Sequence, residues 1–422
     1  MKATSRAYWT LLLLTLVYAV SLVDRSVIGI LLDAIKRDME VTDTVMGLVT
    51  GFGFSVIYSL AGIPVGLWAD YGNRRNIVAA GLAVFSVATS LTAFAANIYH
   101  VLVGRLLLAA GESTQLAPSV SMLADVFPKQ SRARAMAFFG AGPSIGIILG
   151  LSAAGLLNAH YGWRVTLMLL GIPGLLLAIL IRFTMAEPDR TQQGGGASDR
   201  KIGPATSLGF LFRQPTFVCM LLATALNAWP LFATTIWGPA FMGRIHGLGS
   251  AQTGMLFGLV YGVLGVIGAL GGGFLSDLLG GKREQRKLIL PAIAAAIVFP
   301  AHLVFLLAGS LPVAIVALGV VAFMANAQMG PVWAVMQSVS PIRMRATAAA
   351  CFQLLLNLLG MGLGPFLVGF LSDKLAAQYG AEALRYAMLL LPVAALGSSA
   401  LLLLAARHML VDTERAHQFD SA

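Results

Sequence analysis

Apolar residues fill most of this 422-residue chain in long runs broken by short polar stretches. The runs are about 20 residues long, the length a helix needs to cross the hydrocarbon core of a bilayer at about 1.5 Å per residue. They predict twelve helices, near 8–32, 44–69, 76–96, 98–124, 132–157, 162–185, 212–242, 250–278, 288–309, 312–338, 346–372 and 384–406. The longest polar stretch, EPDRTQQGGGASDRKIGPATS at 187–207, is rich in Gly, Ser, Gln and charge and reads as a flexible linker between six helices and six. The pattern therefore predicts an all-α integral membrane protein with twelve transmembrane helices in two pseudo-symmetric six-helix bundles. The expected boundaries are 1–186 for the first bundle, 187–210 for the linker and 211–422 for the second bundle with a short tail.

The two halves repeat each other. GLWADYGNRR (66–75) ends the second helix and GFLSDLLGGKR (273–283) ends the eighth, both with Gly, three residues, Asp and then a basic pair. PKQSRARAMA (128–137) precedes the fifth helix and PIRMRATAAA (341–350) the eleventh, both reading Pro, three residues and Arg-Ala. Gly142-Pro143 is echoed by Gly364-Pro365. The offsets are 207 (Gly66 to Gly273), 213 (Pro128 to Pro341) and 222 (Gly142 to Gly364), in order along the chain. Parallel six-helix repeats place a substrate path at the repeat interface near the membrane midplane. Gly66 and Gly273 are expected to be packing residues.

Composition agrees with the hydropathy pattern. The chain is 58% hydrophobic and 11% charged, too little charge to cover a soluble surface of this size. The 46 glycines lie largely inside the apolar runs, where small residues let helices approach closely. The net charge of +10 does not mark a nucleic-acid partner. With the N-terminus inside, cytoplasmic segments and helix ends hold 20 of the 28 Lys and Arg, external ones 6 and helix interiors 2. That bias sets the orientation, with both termini cytoplasmic. Cys219 and Cys351 are isolated and suggest neither a disulfide nor a metal site.

Four ionisable residues fall inside the predicted spans: Asp24, Arg25, Arg105 and Glu112, all in the first half. A charge at helix centre costs about 2.5–3.5 kcal/mol even on lenient insertion scales, so these four must meet one another or a cavity. Arg25 is expected about 10 Å inside the end of the first helix, level with Arg105. Glu112 lies two turns further along the fourth helix on the same face as Arg105. Asp24 and Arg25 are about 100° apart around their helix, so they cannot simply pair with each other. One is expected to face the cavity and Glu112, the other a neighbouring helix. A carboxylate in a dry cavity favours its neutral form and a nearby guanidinium opposes that, so an arriving anion that engages the Arg frees the carboxylate to take a proton. Glu112 and Asp24 are thus the candidate proton carriers, and Arg25 and Arg105 the candidate anion-binding residues. Tyr18, Tyr58, Tyr261, Asn227 and Asn357 are candidate cavity liners. Asp33, Asp38, Glu40 and Asp43 form an acidic cluster interrupted by Lys36 and Arg37, which reads as a solvated loop.

The repeated Gly-x-x-x-Asp-to-basic loop and the two-half layout resemble the major facilitator superfamily over essentially the whole chain. In that frame Asp70, Arg74, Arg75 and Asp277 are candidate conformational latch residues, which bond neighbouring helix ends in one state and release in the other. The stretches LVDRSVIGILLDAIKRDMEVTDTVMGLVTGFGFSVIYSLAGIPVGLWADYGNRR (22–75) and GRLLLAAGESTQLAPSVSMLADVFPKQSRARAMA (104–137), with GWR and GIPGLL at 162–176, are similar to the bacterial Spinster-like transporters. Ser21, Ala109 and Ser113 depart from that pattern, where Asn, Gly and Ala are usual. The resemblance implies proton-linked movement of lysophospholipids or sphingosine phosphate, with Asp24, Arg25, Arg105 and Glu112 as the charged core. The anion:cation symporters, which move sugar acids, share a similar Asp-Arg pair and Arg-to-Glu spacing, and the charged core does not separate the two.

The expected function is a proton-coupled secondary transporter of an amphipathic organic anion, working by alternating access. The alternatives are a proton symporter of a small organic anion such as a sugar acid, or a drug or metabolite exporter. No phosphate-binding loop for a nucleotide is present, so ATP is not the expected energy source; a proton gradient is expected to drive transport, with no cofactor and no metal. An enzyme is not expected. Membrane lipids and a small amphipathic or anionic substrate are the expected partners, with no nucleic acid. A monomer in the bacterial inner membrane is the expected state.

Overall fold

The computed structural model describes residues 5–188, 203–280 and 286–421, with backbone alone at 70, 129, 133, 204, 277, 279, 280 and 286. Among the described residues there is no strand. The helical stretches are α1 (Ser5–Asp38), α2 (43–71), α3 (Arg74–Thr92), α4 (98–126), α5 (129–161), α6 (162–184), α7 (Pro215–His246), α8 (250–280), α9 (Arg286–Leu307), α10 (Leu311–Ser338), α11 (345–379) and α12 (383–421). Nine continuous stretches among the described residues are long and apolar enough to cross a membrane. Two of them contain two spans each, α5 with α6 and α11 with α12, and α4 completes the set in two shorter pieces.

Local chemistry sets the helix ends. Thr42, Asn73 and Asn97 cap α2, α3 and α4, their side chains accepting from Val45, Asn76 and His100 amides. The chain turns from α5 into α6 at Gly162, with φ 75° and ψ 171°, a conformation open essentially to glycine alone. Two ends differ from the hydropathy reading. Within the expected linker, residues 204–212 form a short helix, Pro204–Phe212, while 189–202 lie outside the described residues. At the other end, α12 runs to Ser421 rather than to about 406.

By packing, the chain forms two compact units, Met1–Gly195 with Thr235–Gly262, and Gly196–Thr234 with Val263–Ala422. The end of α7 and the start of α8 thus form a hairpin that groups with the first six helices. In the first unit Gly142, Gly146 and Gly150 recur every four residues on α5 and seat α1. A Cβ at Gly142 would come within 2.6 Å of the Thr15 carbonyl oxygen, and one at Gly146 would overlap that of Ala19. The hairpin docks the same way, through Gly155 on α5 facing Gly254 on α8 and Gly29 on α1 facing the Thr235 and Ile236 carbonyls. In the second unit the core is apolar side chains from α7, α9, α10, α11 and α12, with Phe217, Met336, Phe352 and Met409 fully enclosed. Gly364 of α11 abuts the Trp229 ring. A Cβ at Gly66 or Gly273 would meet nothing within 4 Å, so neither is needed to make room for a neighbour on its own Cβ side, although the Gly273 backbone lies 3.8 Å from where a Cβ of Gly330 on α10 would stand.

Candidate functional site

α1 reaches Asp38, six residues past the end of its apolar run. Lys36 and Arg37 occupy its last turn, where cations stabilise the helix terminus. Arg25 is therefore thirteen residues from that end, or about 20 Å, and not the expected 10 Å. Glu112 is fourteen residues from the start of α4, the same depth. The two meet: Arg25 Nη2 donates to Glu112 Oε1 at 2.6 Å.

Asp24, one residue earlier, points around the helix toward α3 and α4. It is 5% exposed and lies within hydrogen-bonding reach of the Thr89 hydroxyl. Arg105 is 4% exposed and donates from Nη1 to the Asp24 carbonyl at 3.2 Å. Between the guanidiniums stands Phe54 of α2, fully buried, with Arg25 Cζ and Arg105 Cζ each 5.1 Å from its ring centroid. Tyr58 stacks on Phe54 and receives Arg25 at 5.0 Å. Cation–π contacts at a dry site are each worth about 2 kcal/mol, so the aromatic pair helps to hold both cations at depth. The cluster contains two carboxylates and two guanidiniums and carries no net charge, which lets four ionisable groups persist in the bundle. The Arg25 side chain is 19% exposed against 3% for Glu112, so Arg25 is the more accessible member of the pair.

Glu112 ends the first piece of α4. The helix breaks over 113–115, where Ser113 and Thr114 hydroxyls donate to the Ala110 and Gly111 carbonyls and Gln115 Nε2 to the Gly111 and Val78 carbonyls. Pro118 has no N–H to offer the Thr114 carbonyl, so the break follows from the ESTQLAP sequence itself. A broken helix at a buried charge is a recurrent way for transporters to build a site.

The remaining candidates divide between the units. Tyr18 stacks on Phe139 at 4.9 Å and lies within electrostatic range of Arg25, so it joins the charged cluster. Tyr261 stacks on Phe257 in the hairpin. Asn227 and Asn357 belong to the second unit, where Asn227 donates to the Ala325 carbonyl and Asn357 accepts from Gln353. Arg74 is buried and pairs with Asp125 of α4 and with Glu187 beyond α6 at 3.0 Å. Arg75 donates its backbone N–H to Glu187 and its guanidinium to the Met185 carbonyl. These two arginines therefore bind the ends of α3, α4 and α6 together inside one unit. The side chains of Asp70 and Asp277 lie outside the described residues.

The acidic stretch at the end of α1 and just beyond it is only in part the solvated loop expected from its sequence: Asp33 and Asp38 belong to the helix, and Asp38 and Glu40 are exposed. Asp43 is 2% exposed and pairs with Lys36 at 2.6 Å and with Arg244 of α7 at 2.7 Å. Arg244 also grips Asp33 at 2.6 Å, and Arg164 reaches Asp38 at 2.7 Å. The basic partners are distant in sequence, so a charge count along one loop cannot find them. The network borders a cavity of about 730 Å³ lined by Asp33, Lys36, Arg37, Trp163 and Arg244.

A family model described as Major Facilitator Superfamily matches residues 14–365. The chain is 29% identical to an MFS-type efflux pump of Mycolicibacterium smegmatis, over 92% of this chain and 90% of the relative. It is 27% identical to a hexuronate transporter of Bacillus subtilis, over 88% and 89%. Among solved structures, a bacterial homologue of the human lysosomal transporter Spinster, in an inward-facing and unoccupied conformation, superposes with a TM-score of 0.87 at 25% identity, covering 97% of this chain and 99% of that one. With its membrane-length helices, its repeated halves and a family match across most of its length, the chain belongs to the major facilitator superfamily and is a multi-pass membrane protein of the secondary-transporter class.

Proposed function

We propose that this protein is a proton-coupled transporter that moves an amphipathic organic anion, of the lysophospholipid or sphingoid-phosphate kind, by alternating access. The observation that carries the proposal is the Arg25–Glu112 pair at 2.6 Å, with the Arg25 side chain the more exposed of the two. Arg25 keeps its charge at every physiological pH and presents a planar fork that fits phosphate or carboxylate through two bonds. Glu112 holds that fork when no anion is bound. A proton on Glu112 removes its charge and releases Arg25 to the anion; departure of the anion returns Arg25 to the carboxylate and expels the proton. One proton per monoanion keeps the cluster neutral throughout, so the site never holds an uncompensated buried charge. Asp24 is the second carboxylate able to carry a proton, and Arg105 anchors the backbone beside it. Tyr18 and Tyr58 line the approach to Arg25, while Tyr261, Asn227 and Asn357 are further candidates for substrate contacts. Arg74 and Arg75 brace cytoplasmic helix ends whose rearrangement accompanies each cycle, and Asp70 and Asp277 are further latch candidates by their place in the sequence. The protein works as a monomer in the bacterial inner membrane with both termini cytoplasmic, and draws on the proton gradient without a cofactor.

A second reading, a small organic anion such as a sugar acid, uses the same Arg25 fork and is supported by the likeness to the hexuronate transporter. Reconstituted protein separates them. Under an imposed proton gradient, proteoliposomes should move a fluorescent lysophospholipid, and sugar acids should not compete. Gradient-driven uptake of a hexuronate with no lysolipid movement would establish the second reading instead.

A further inference from the structure

The short helix Pro204–Phe212, the start of α7 and the last turns of α12 enclose a cavity of about 520 Å³ in the second unit. Gln214 lines it, is 2% exposed, and has both amide atoms buried without a hydrogen-bond partner. The amide is not spent on capping α7: the free Thr216 N–H there is taken by Asp412 Oδ2 at 2.9 Å. A buried amide with an unmet donor and an unmet acceptor points to a group that supplies both.

Two guanidiniums share the wall. Arg415 makes one long contact, 3.4 Å to Asp412, and its side chain is 55% exposed. The Arg213 side chain makes no hydrogen bond or ion pair among the described residues, and Asp412 is the acidic group facing Arg415. Among the described residues the cavity is therefore cationic by one charge. Phe210 and Phe419 close it, their rings 5.0 Å apart.

The position of the cavity narrows the ligand. Leu208 and Phe212 sit one turn apart on the short helix and are 38% and 48% exposed, while Ser207 and Leu211 on its other side are buried. An apolar ridge facing outward on a short helix, at the point where a membrane span begins, is the signature of a helix lying in the bilayer interface. The cavity then opens at headgroup depth, with acyl chains able to run beside Leu208 and Phe212.

We propose that this cavity is a binding site for an anionic glycerophospholipid with a hydroxyl-bearing headgroup. The lipid phosphate lies between Arg213 and Arg415, and Gln214 both donates to and accepts from the headgroup hydroxyls. The site is separate from the Arg25 cluster and rests on no assumption about what the protein transports.

Native mass spectrometry of the full-length protein, released from detergent with phosphatidylglycerol or phosphatidylcholine, tests this. Wild type should retain phosphatidylglycerol and lose phosphatidylcholine. Gln214→Ala and the double variant Arg213→Ala/Arg415→Ala should each weaken phosphatidylglycerol retention at least tenfold. Arg213→Lys/Arg415→Lys should fall in between, since charge remains and the planar fork is lost. Arg134→Ala, an exposed arginine on the other unit, should change nothing. Thermal unfolding of each variant without added lipid identifies any that fail to fold, and the lysine variant then carries the test. Wild-type retention in the folded variants would overturn the proposal, as would equal loss in Arg134→Ala. Displacement of the lipid by millimolar inorganic phosphate would also overturn it and mark a soluble-anion site.

Discussion

Arg244 is the residue whose removal should most change how the protein moves. It sits on the α7–α8 hairpin and clamps Asp33 and Asp43, with Nη2 at 2.6 Å from Asp33 and Nη1 at 2.7 Å from Asp43. Undocking the hairpin from α1 and α2 requires this clamp to break. Hydrogen bonds to charged groups are worth about 1.5–3 kcal/mol each, and truncating one partner of a buried pair costs about 3–5 kcal/mol. The Arg244 side chain is 20% exposed and Asp43 keeps Lys36 as a partner, which lowers the cost. The net loss in Arg244→Ala is then about 2–4 kcal/mol, a shift of roughly 30- to 700-fold toward the undocked hairpin at about 1.4 kcal/mol per tenfold. Spin labels at Glu40 and Leu248, in a background with Cys219 and Cys351 replaced, report the separation by double electron–electron resonance. Wild type should give one short distance. Arg244→Ala and Asp43→Asn should each add a long one, smaller in Asp43→Asn because Arg244 keeps Asp33, and the double variant should add no more than Arg244→Ala, which already removes both contacts. A single short distance in all three, or full additivity, would refute the clamp.

Glu112→Gln should abolish proton-driven accumulation in proteoliposomes while leaving exchange of substrate across the membrane, measured by counterflow; normal accumulation in both Glu112→Gln and Asp24→Asn would refute carboxylate coupling. Arg25→Lys should weaken lysolipid binding and Arg25→Ala weaken it further, whereas an uncharged analogue loses little, as thermal-shift titration would report; equal losses for both ligands would make Arg25 a structural partner alone. Gly146→Val should lower thermal stability by the equivalent of about 1–3 kcal/mol or more, because its side chain would drive into the Ala19 carbonyl where α1 and α5 touch. The same change at Gly66, which has open space beside it, should leave the melting temperature within about a degree or two of wild type.

The sequence by itself determined the helices and the repeat. Twenty-residue apolar runs must be helical in lipid, because no other structure satisfies the backbone there, and the paired loops at 66–75 and 273–283 announce the duplication. It also singled out Asp24, Arg25, Arg105 and Glu112, since charges inside apolar runs stand out in one dimension, and the 100° step between neighbours on a helix separates the directions of Asp24 and Arg25. Partner choice was decided only in three dimensions. Arg25 meets Glu112 because of the height at which α1 packs beside α4 and the direction Arg25 takes around α1. Phe54, one of 22 phenylalanines, gains its place between two guanidiniums from the rotation of α2 against α1 and α4, which no periodicity records. Asp33 and Asp43 look solvated along the chain and prove clamped by Arg244, about 200 residues away. Helical period gives each residue a face and a depth on its own helix. Which faces meet, and at what height, depends on close packing between helices, down to single glycines such as Gly146, and that information is carried by the tertiary structure alone.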